Sequence, residues 1–403
     1  MTHHDLARLP DLPYESRQIS RAALGSRNER GRWPSKRRLS GLAWLCLICF
    51  LSFFTLGAGP PGLQGSAPGS LTLYPEQIKA QQEAKILPQI SATAALLVGG
   101  DVGQPLAGKS IHERLAMAST TKIMTALLVL ESANLDDAVT VSPTALVGGS
   151  SMGLQAGEVV TVEDLLWGLL LQSGNDAAVA LAEHVAGSEA DFVALMNERA
   201  VQLGLADTHF ANPHGLDDPE HASSAYDLWV LTEAAMKFPK FQEIVASRSH
   251  VAAGRTLLNI NELLDRYPGA DGVKTGTTEA AGQSLVASVT RDGHRSLAVV
   301  LGSEDRYADA ATILDHYFTS YDWTSGPLPV GPASWVIAPD GKSLRVTAPS
   351  APDFFLPSWQ WPLVRPQVIL QSIPADLSQP AGLVRWYLGN QLLGEAPAVL
   401  SEY

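Results

Sequence analysis

The sequence predicts an α/β (α+β) body with a transmembrane helix in front of it and a small all-β domain behind it. Three observations carry that expectation. Residues 40–58 (SGLAWLCLICFLSFFTLGA) form a run of nineteen uncharged residues, close to the roughly 20 that a helix needs to cross a bilayer. Across 76–322, apolar runs of helical length such as 118–131 alternate with short strand-like runs such as 92–98. After Tyr321, Pro327, Pro329 and Pro332 mark a junction, and 323–403 holds only short runs (335–337, 344–346, 368–370 and 383–388) between turns, the pattern of a small β domain. With 403 residues, 46% of them hydrophobic, the chain is long enough for two or three domains and a large core.

At the front, residues 1–40 hold nine of the 28 Lys and Arg but only four of the 41 Asp and Glu. The positive-inside rule therefore places residues 1–39 in the cytoplasm as a basic tail, and the body outside. This basic region is far longer than the n-region of a cleaved signal, so 40–58 reads as an uncleaved signal anchor whose partner is the lipid bilayer. Cleavage after the small residues near Ala58 is the competing reading. Both cysteines, Cys46 and Cys49, lie inside the apolar span, so the exported body needs neither disulfide nor thiol chemistry. Residues 59–75, rich in Gly, Pro and Ser, read as a linker. Everything after residue 40 has 19 basic and 37 acidic residues, a formal charge of −18, which argues against nucleic acid as a partner.

The body begins its chemistry at Ala118-Ser119-Thr120-Thr121-Lys122. On a helix over 118–131, positions i and i+3 share a face, so the Ser119 hydroxyl and the Lys122 amine meet. A serine is a weak nucleophile until a base takes its proton, and lysine serves as that base once burial or a neighbouring cation lowers its pKa. A serine opening a helix also offers a free backbone N–H to developing negative charge. The alternative for the pair alone is a helix cap and a solvated lysine. Thr161 to Asp164, followed by LLWGLLLQ, reads as a capped start to a buried helix. That helix runs out at Ser173-Gly174-Asn175-Asp176, where polar groups between two apolar runs either cap the next helix, 177–186, or face Ser119 across a cleft.

Residues 208–228 are too rich in turn residues for a helix. Their His209, His214, His221, Asp217 and Asp218 match no metal-ligand spacing and read as loop residues. Lys274-Thr275-Gly276-Thr277 stands on or just before a strand that adjoins a hairpin, 284–289 and 296–301, turning at 291–293. Gly276 permits close approach of a ligand backbone, and Lys274 adds positive potential beside Lys122. No metal or organic cofactor is implied.

Each of these motifs is weak alone, but Ser119-x-x-Lys122, then Ser173-Gly174-Asn175, then Lys274-Thr275-Gly276, in that order, resemble the active-site serine enzymes that recognise penicillin. Stretches around them (117–131, 149–158, 164–197, 210–228, 259–264 and 268–288) resemble the D-alanyl-D-alanine carboxypeptidases among the low-molecular-mass penicillin-binding proteins, the S11 serine peptidases, over nearly all of 76–320. The resemblance implies a β-lactamase/transpeptidase-like fold; combined with the anchor read from 40–58, it places the chain on a bacterial cell membrane, single-pass, with the catalytic domain on the periplasmic or wall-facing side. It implies that peptidoglycan stem peptides are substrates and β-lactams covalent inhibitors. It also implies roles: Ser119 as nucleophile, Lys122 as base, Ser173 and Lys274 as the proton path to the departing D-alanine, Asn175 as orienter, the N–H groups of Ser119 and Thr277 as oxyanion hole, and Thr275 with Arg306 as the carboxylate site. Thr277 departs from the aromatic or His residue most often found after Lys-Thr-Gly, and the family's usual C-terminal amphipathic helix is missing. An endopeptidase acting on cross-links, a serine β-lactamase and a catalytically silent wall-binding protein are the competing functions. The β-lactamase reading lacks a glutamate-bearing loop for deacylation, since Glu220 lies in a stretch better matched by the carboxypeptidases.

Overall fold

The computed structural model of the chain describes residues 73–99 and 103–402. The expected tail 1–39, the transmembrane segment 40–58 and the linker up to residue 72 lie outside the described residues. Among the described residues, no helix is long and apolar enough to cross a membrane.

Helix α1 (Pro75–Ala84) leads into strands β1 (Ala94–Gly99) and β2 (Gln104–Lys109). The segment that bears Ser119 follows, as a 3-10 turn, Ala118–Thr121, then helix α2 (Lys122–Ser132). The single helix expected over 118–131 is thus tightened at its start. Ala118 takes a left-handed φ of 48°, and the hydroxyls of Thr120 and Thr121 donate back to the carbonyls of Met117 and Ala118, both at 2.7 Å, which favours the tighter winding. A short ribbon, β3 (Ala138–Thr140) with β4 (Val159–Thr161), precedes α3 (Val162–Leu171). Helix α3 starts as expected: Asp164 N–H donates to Thr161 Oγ1 at 3.0 Å, and the Asp164 carboxylate accepts from Thr161 N–H. Next come α4 (Asn175–Ala186), α5 (Glu189–Leu203), α6 (Ala225–Ala235), α7 (Pro239–Ala246), the hairpin β5 (Ser249–Ala252) and β6 (Arg255–Leu258), and the short α8 (Leu263–Arg266). Strands β7 (Ala270–Thr278), β8 (Gly282–Arg291) and β9 (His294–Ser303) then lead to α9 (Arg306–Ser320).

Five of these strands make one antiparallel sheet in the order β2-β1-β9-β8-β7, with β8 and β9 forming the expected hairpin. Side chains alternate between its two faces. Leu297, Val299 and Leu301 of β9 join Leu96, Val286 and helices α2 to α7 in one core, while Ala298 and Val300 join Leu97, Leu285 and α9 (Ile313, Leu314) in the other. Because helices cover both faces, the strands read as continuous apolar runs rather than alternating ones. Helix α2 lies inside the first core, buried from Lys122 through Val129. Among the described residues, strand β7 is the sheet's edge, so no strand pairs with its outer hydrogen-bonding groups.

Beyond α9, β10 (Tyr321–Ser325) pairs with β13 (Asp353–Pro357). A second five-stranded sheet has the order β11-β12-β16-β15-β14, from β11 (Trp335–Ile337), β12 (Ser343–Thr347), β14 (Val364–Leu370), β15 (Pro380–Leu388) and β16 (Gln391–Glu402). It encloses its own core around Leu344, Val346, Val384, Trp386 and Leu400. The Trp386 indole N–H is satisfied by the Pro327 carbonyl at 2.8 Å.

Candidate active site

The 3-10 turn and the first residue of α2 bring Ser119 and Lys122 together, with Lys122 Nζ 2.8 Å from Ser119 Oγ. Lys122 is wholly buried, so its amine must find partners within the protein. It donates to Asn175 Oδ1 at 2.8 Å and to the His214 carbonyl at 2.5 Å. Its three partners, Ser119 Oγ, Asn175 Oδ1 and the His214 carbonyl, are all oxygens, and loss of one proton from the amine frees a lone pair for the Ser119 hydroxyl proton.

Ser173 and Asn175 come from the break between α3 and α4. The apolar run of α3 ends at Leu171, and Ser173 takes a left-handed φ of 59°, which turns the chain sharply enough to start α4 two residues later. Neither Asn175 nor Asp176 caps that helix. Gly174 is the N-cap, without a side-chain bond, and both polar side chains are turned to other work. Asn175 Nδ2 donates to the Gly148 carbonyl at 2.7 Å, which leaves its Oδ1 for Lys122. Asp176 accepts from the backbone N–H of Met152, Gly153 and Leu154 and from the Ser151 hydroxyl. It thereby pins loop 148–154 against α4.

The third motif stands on β7, as expected. Lys274, 1% exposed, reaches Ser173 Oγ at 3.0 Å and its Nζ also donates to the Thr275 carbonyl at 2.8 Å. Gly276 faces Ser119: a Cβ there would lie 2.9 Å from Ser119 N and 3.0 Å from the Met117 carbonyl, so only glycine lets the strand pass. Arg306, the first residue of α9, lies at the end of this strand. Its Nη1 donates to the carbonyls of Gly276 (2.8 Å) and Ser284 (3.1 Å), its Nε to Gln283 Oε1 (3.1 Å) and its Nη2 to Thr277 Oγ1. Much of the Arg306 fork is therefore engaged by the protein.

The two buried lysines on facing elements are both held below the ordinary lysine value. Burial above all holds Lys122 well below the ordinary lysine value, with the Lys274 charge acting the same way and Asp176 opposing. Lys274 is pushed down to about 7 by burial and then by the Arg306 charge.

Several contributors carry no signal in a sequence. The loop over 208–224 lies along α2, with Thr125 Oγ1 donating to the Pro213 carbonyl at 2.6 Å, Thr121 Oγ1 in contact with His221 Nε2 at 2.7 Å, and the His214 carbonyl holding Lys122. Gly215, at φ 90°, packs so closely that a Cβ would lie 2.0 Å from the Ala118 carbonyl oxygen. The turn-rich 208–224 stretch hints at such a loop, but not at which carbonyl serves the lysine. Its histidines bind protein groups: His209 Nδ1 meets the Glu220 carbonyl and His221 Nδ1 accepts from Ala211 N–H. Burial pushes His214 and His221 down to about 4. Among the described residues no group of three or more His, Cys, Asp or Glu is placed to hold a metal.

Comparison with known proteins gives consistent matches. Residues 78–305 match the family described as D-alanyl-D-alanine carboxypeptidase. The D-alanyl-D-alanine carboxypeptidase DacF of Bacillus subtilis is 39% identical over 268 residues, 62% of this chain and 69% of its own length. DacD of Salmonella typhimurium is 35% identical over 342 residues, 78% of this chain and 87% of the relative. Among solved structures, penicillin-binding protein 6B of Escherichia coli is similar with a TM-score of 0.61 and 33% identity, over 77% of this chain and 96% of that one. The Streptomyces K15 DD-transpeptidase is similar at 0.55 and 34% identity, over 58% of this chain and 98% of its own.

Proposed function

The chain belongs to the D-alanyl-D-alanine carboxypeptidase family of S11 serine peptidases, and from that premise we propose how its residues divide the work of removing the terminal D-alanine from peptidoglycan stem peptides. The enzyme is a serine-type peptidase, and β-lactams are its covalent inhibitors. Ser119 Oγ attacks the carbonyl carbon between the last two D-alanines while its proton passes to Lys122 Nζ. The carbonyl oxygen becomes an oxyanion facing the backbone N–H groups of Ser119 and Thr277. Collapse of this intermediate breaks the C–N bond, and the departing amine takes its proton through Ser173 Oγ, with Lys274 behind it. Water then attacks the Ser119 ester, returning the hydroxyl and releasing the shortened peptide.

The observation that carries this reading is the buried Lys122 amine, 2.8 Å from Ser119 Oγ and held below its ordinary pKa. Asn175 Oδ1 and the His214 carbonyl fix its direction. The unpaired edge of β7 offers main-chain groups to an extended peptide, as strand addition requires. Thr275 and Arg306 would receive its terminal carboxylate. The test is D-alanine release from a pentapeptide ending in D-Ala-D-Ala by the detergent-solubilised chain, beside nitrocefin hydrolysis and digestion of a cross-linked dimer. Release with little nitrocefin turnover is expected. Ser119→Ala should abolish both release and labelling by a fluorescent penicillin, and labelling that persists would refute Ser119 as nucleophile.

We further propose that residues 40–58 anchor the chain in the bilayer with 1–39 cytoplasmic, that 59–75 links the anchor to a catalytic domain over 76–322, and that 323–403 forms a separate C-terminal domain on the same, wall-facing side. Charge and hydropathy support this arrangement. An N-terminal residue beyond 58 in the membrane-extracted protein would overturn the anchor.

A further inference from the structure

Arg306 arrives at the end of β7 with most of its hydrogen-bonding capacity already used. A guanidinium has five N–H donors. Here Nε–H goes to Gln283 Oε1, Nη1 serves the carbonyls of Gly276 and Ser284, and one Nη2 N–H goes to Thr277 Oγ1. Thr277 and Gln283 are cross-strand partners in the β7–β8 register, so the guanidinium lies over the face of the sheet that they share. Thr275, two residues before Thr277, belongs to that face as well. A carboxylate beside Thr275 therefore has one Nη2 N–H left to it, and a second becomes available only if Thr277 gives up its own. Of the four acceptors, two are carbonyls fixed in the strands and Gln283 also bonds the Glu304 carbonyl at 2.9 Å. The hydroxyl of Thr277, on an exposed side chain, is the one acceptor that a single substitution removes without disturbing a strand.

We propose that Thr277 is a specificity-determining residue: by occupying one arm of Arg306 it limits how strictly the site demands a free carboxylate on the residue that leaves. The proposal rests on the reading above that Arg306 and Thr275 receive that carboxylate. At a site with one charged donor, a peptide whose second D-alanine is capped as an amide loses little relative to the free acid. At a site with two, it loses much more. The substrate class admitted by this relaxation is peptides extended or blocked beyond the second D-alanine.

The experiment compares kcat/KM for a D-Ala-D-Ala peptide as free acid and as C-terminal amide, in the wild-type chain and in Thr277→Val, Thr277→Ser and Arg306→Gln. Active sites are counted by penicillin labelling, so that unfolded protein is excluded. Valine matches the shape of threonine but releases the second Nη2 N–H. The acid-over-amide ratio should rise about tenfold, mostly through a lower KM for the acid, the size of one added charge-assisted hydrogen bond. Serine, which keeps the hydroxyl, should keep the wild-type ratio. Arg306→Gln should lower it. If Arg306→Gln lowers the ratio but Thr277→Val leaves it within twofold of wild type, the proposal fails while the carboxylate reading stands. If Arg306→Gln leaves the ratio unchanged, the carboxylate reading itself fails and takes the proposal with it.

Discussion

Asp176 touches no reacting group, yet the geometry makes it the support of one wall of the site, and Asp176→Asn tests this. Its carboxylate is 1% exposed. One oxygen accepts from Ser151 Oγ (2.5 Å), Gly153 N (3.1 Å) and Leu154 N (3.1 Å), and the other from Met152 N (3.0 Å) and Ala177 N (2.9 Å). Asparagine keeps the shape but replaces one acceptor oxygen with an NH2 group. Its best orientation turns that NH2 toward the Met152 and Ala177 amides, which then face a donor, and the remaining bonds lose their charge. At about 1–3 kcal/mol for each buried group left unpaired, the change costs about 2–6 kcal/mol. For a domain of this size that is a fall in Tm of about 5–20 °C. Loop 148–154 supplies the carbonyls of Gly148 and Ser150 that hold Asn175, so a loosened loop frees Asn175 Oδ1 from its aim at Lys122. Acylation by a fluorescent penicillin, followed by stopped flow on the fraction still folded, should slow by about tenfold or more, since about 1.4 kcal/mol of misplacement is enough. Ser151→Ala, which removes one hydroxyl donor and leaves the carboxylate, should show the same signs at a fraction of the size. An Asp176→Asn chain that melts within about 2 °C of wild type and acylates at the native rate would refute the reasoning.

Other expectations follow from the same contacts. Gly276→Ala places a methyl 2.9 Å from Ser119 N, so either β7 or the turn at 117–119 must shift; acylation should fall by roughly 100-fold and the Tm should fall with it, and native-rate labelling would show that this N–H is not used. Lys274→Gln removes the cation that helps hold Lys122 down, so the Lys122 pKa rises and the acid limb of the acylation pH profile moves to higher pH, whatever happens to its height. A limb that stays put would mean that Lys122 is not the titrating base. His214 and His221 have folded-state values of about 4 against an ordinary 6.5, so between those pH values the unfolded chain binds more protons and stability falls as pH drops, by up to about 3 kcal/mol for each. Thermal melts at pH 6.5, 5.5 and 4.5 read that slope, His221→Gln should reduce it, and a flat profile would contradict the buried neutral histidines.

Legibility in the sequence tracks whether a partner is a side chain or a backbone carbonyl. Ser119 and Lys122 are found from spacing because both partners are named residues three positions apart. The Thr161 capping box and the β8–β9 hairpin are found for the same reason, since local chemistry decides them. The meeting of Lys274 with Ser173, 101 positions away in the chain, follows only from the order of motifs and not from any local rule. The site's remaining parts escape because every residue carries a carbonyl. Nothing distinguishes His214 O or Gly148 O as the oxygen that completes the site, and the side chain of His214, which draws the eye as a ligand candidate, is the part that Lys122 does not touch. The 3-10 turn at Ser119 was hidden similarly: the threonines read as helix residues, and only the fold shows their hydroxyls bonded back to Met117 and Ala118. This division bears on mechanism. A neutral amine on Lys122 requires two acceptors placed so that its lone pair is left for Ser119. Asn175, legible in the sequence, provides one of them and the His214 carbonyl, illegible there, provides the other. Preserving the three motifs is therefore not sufficient to preserve the base: a change at Gly215 that displaced loop 208–224 would leave every motif residue in place and still turn Lys122 away from the nucleophile.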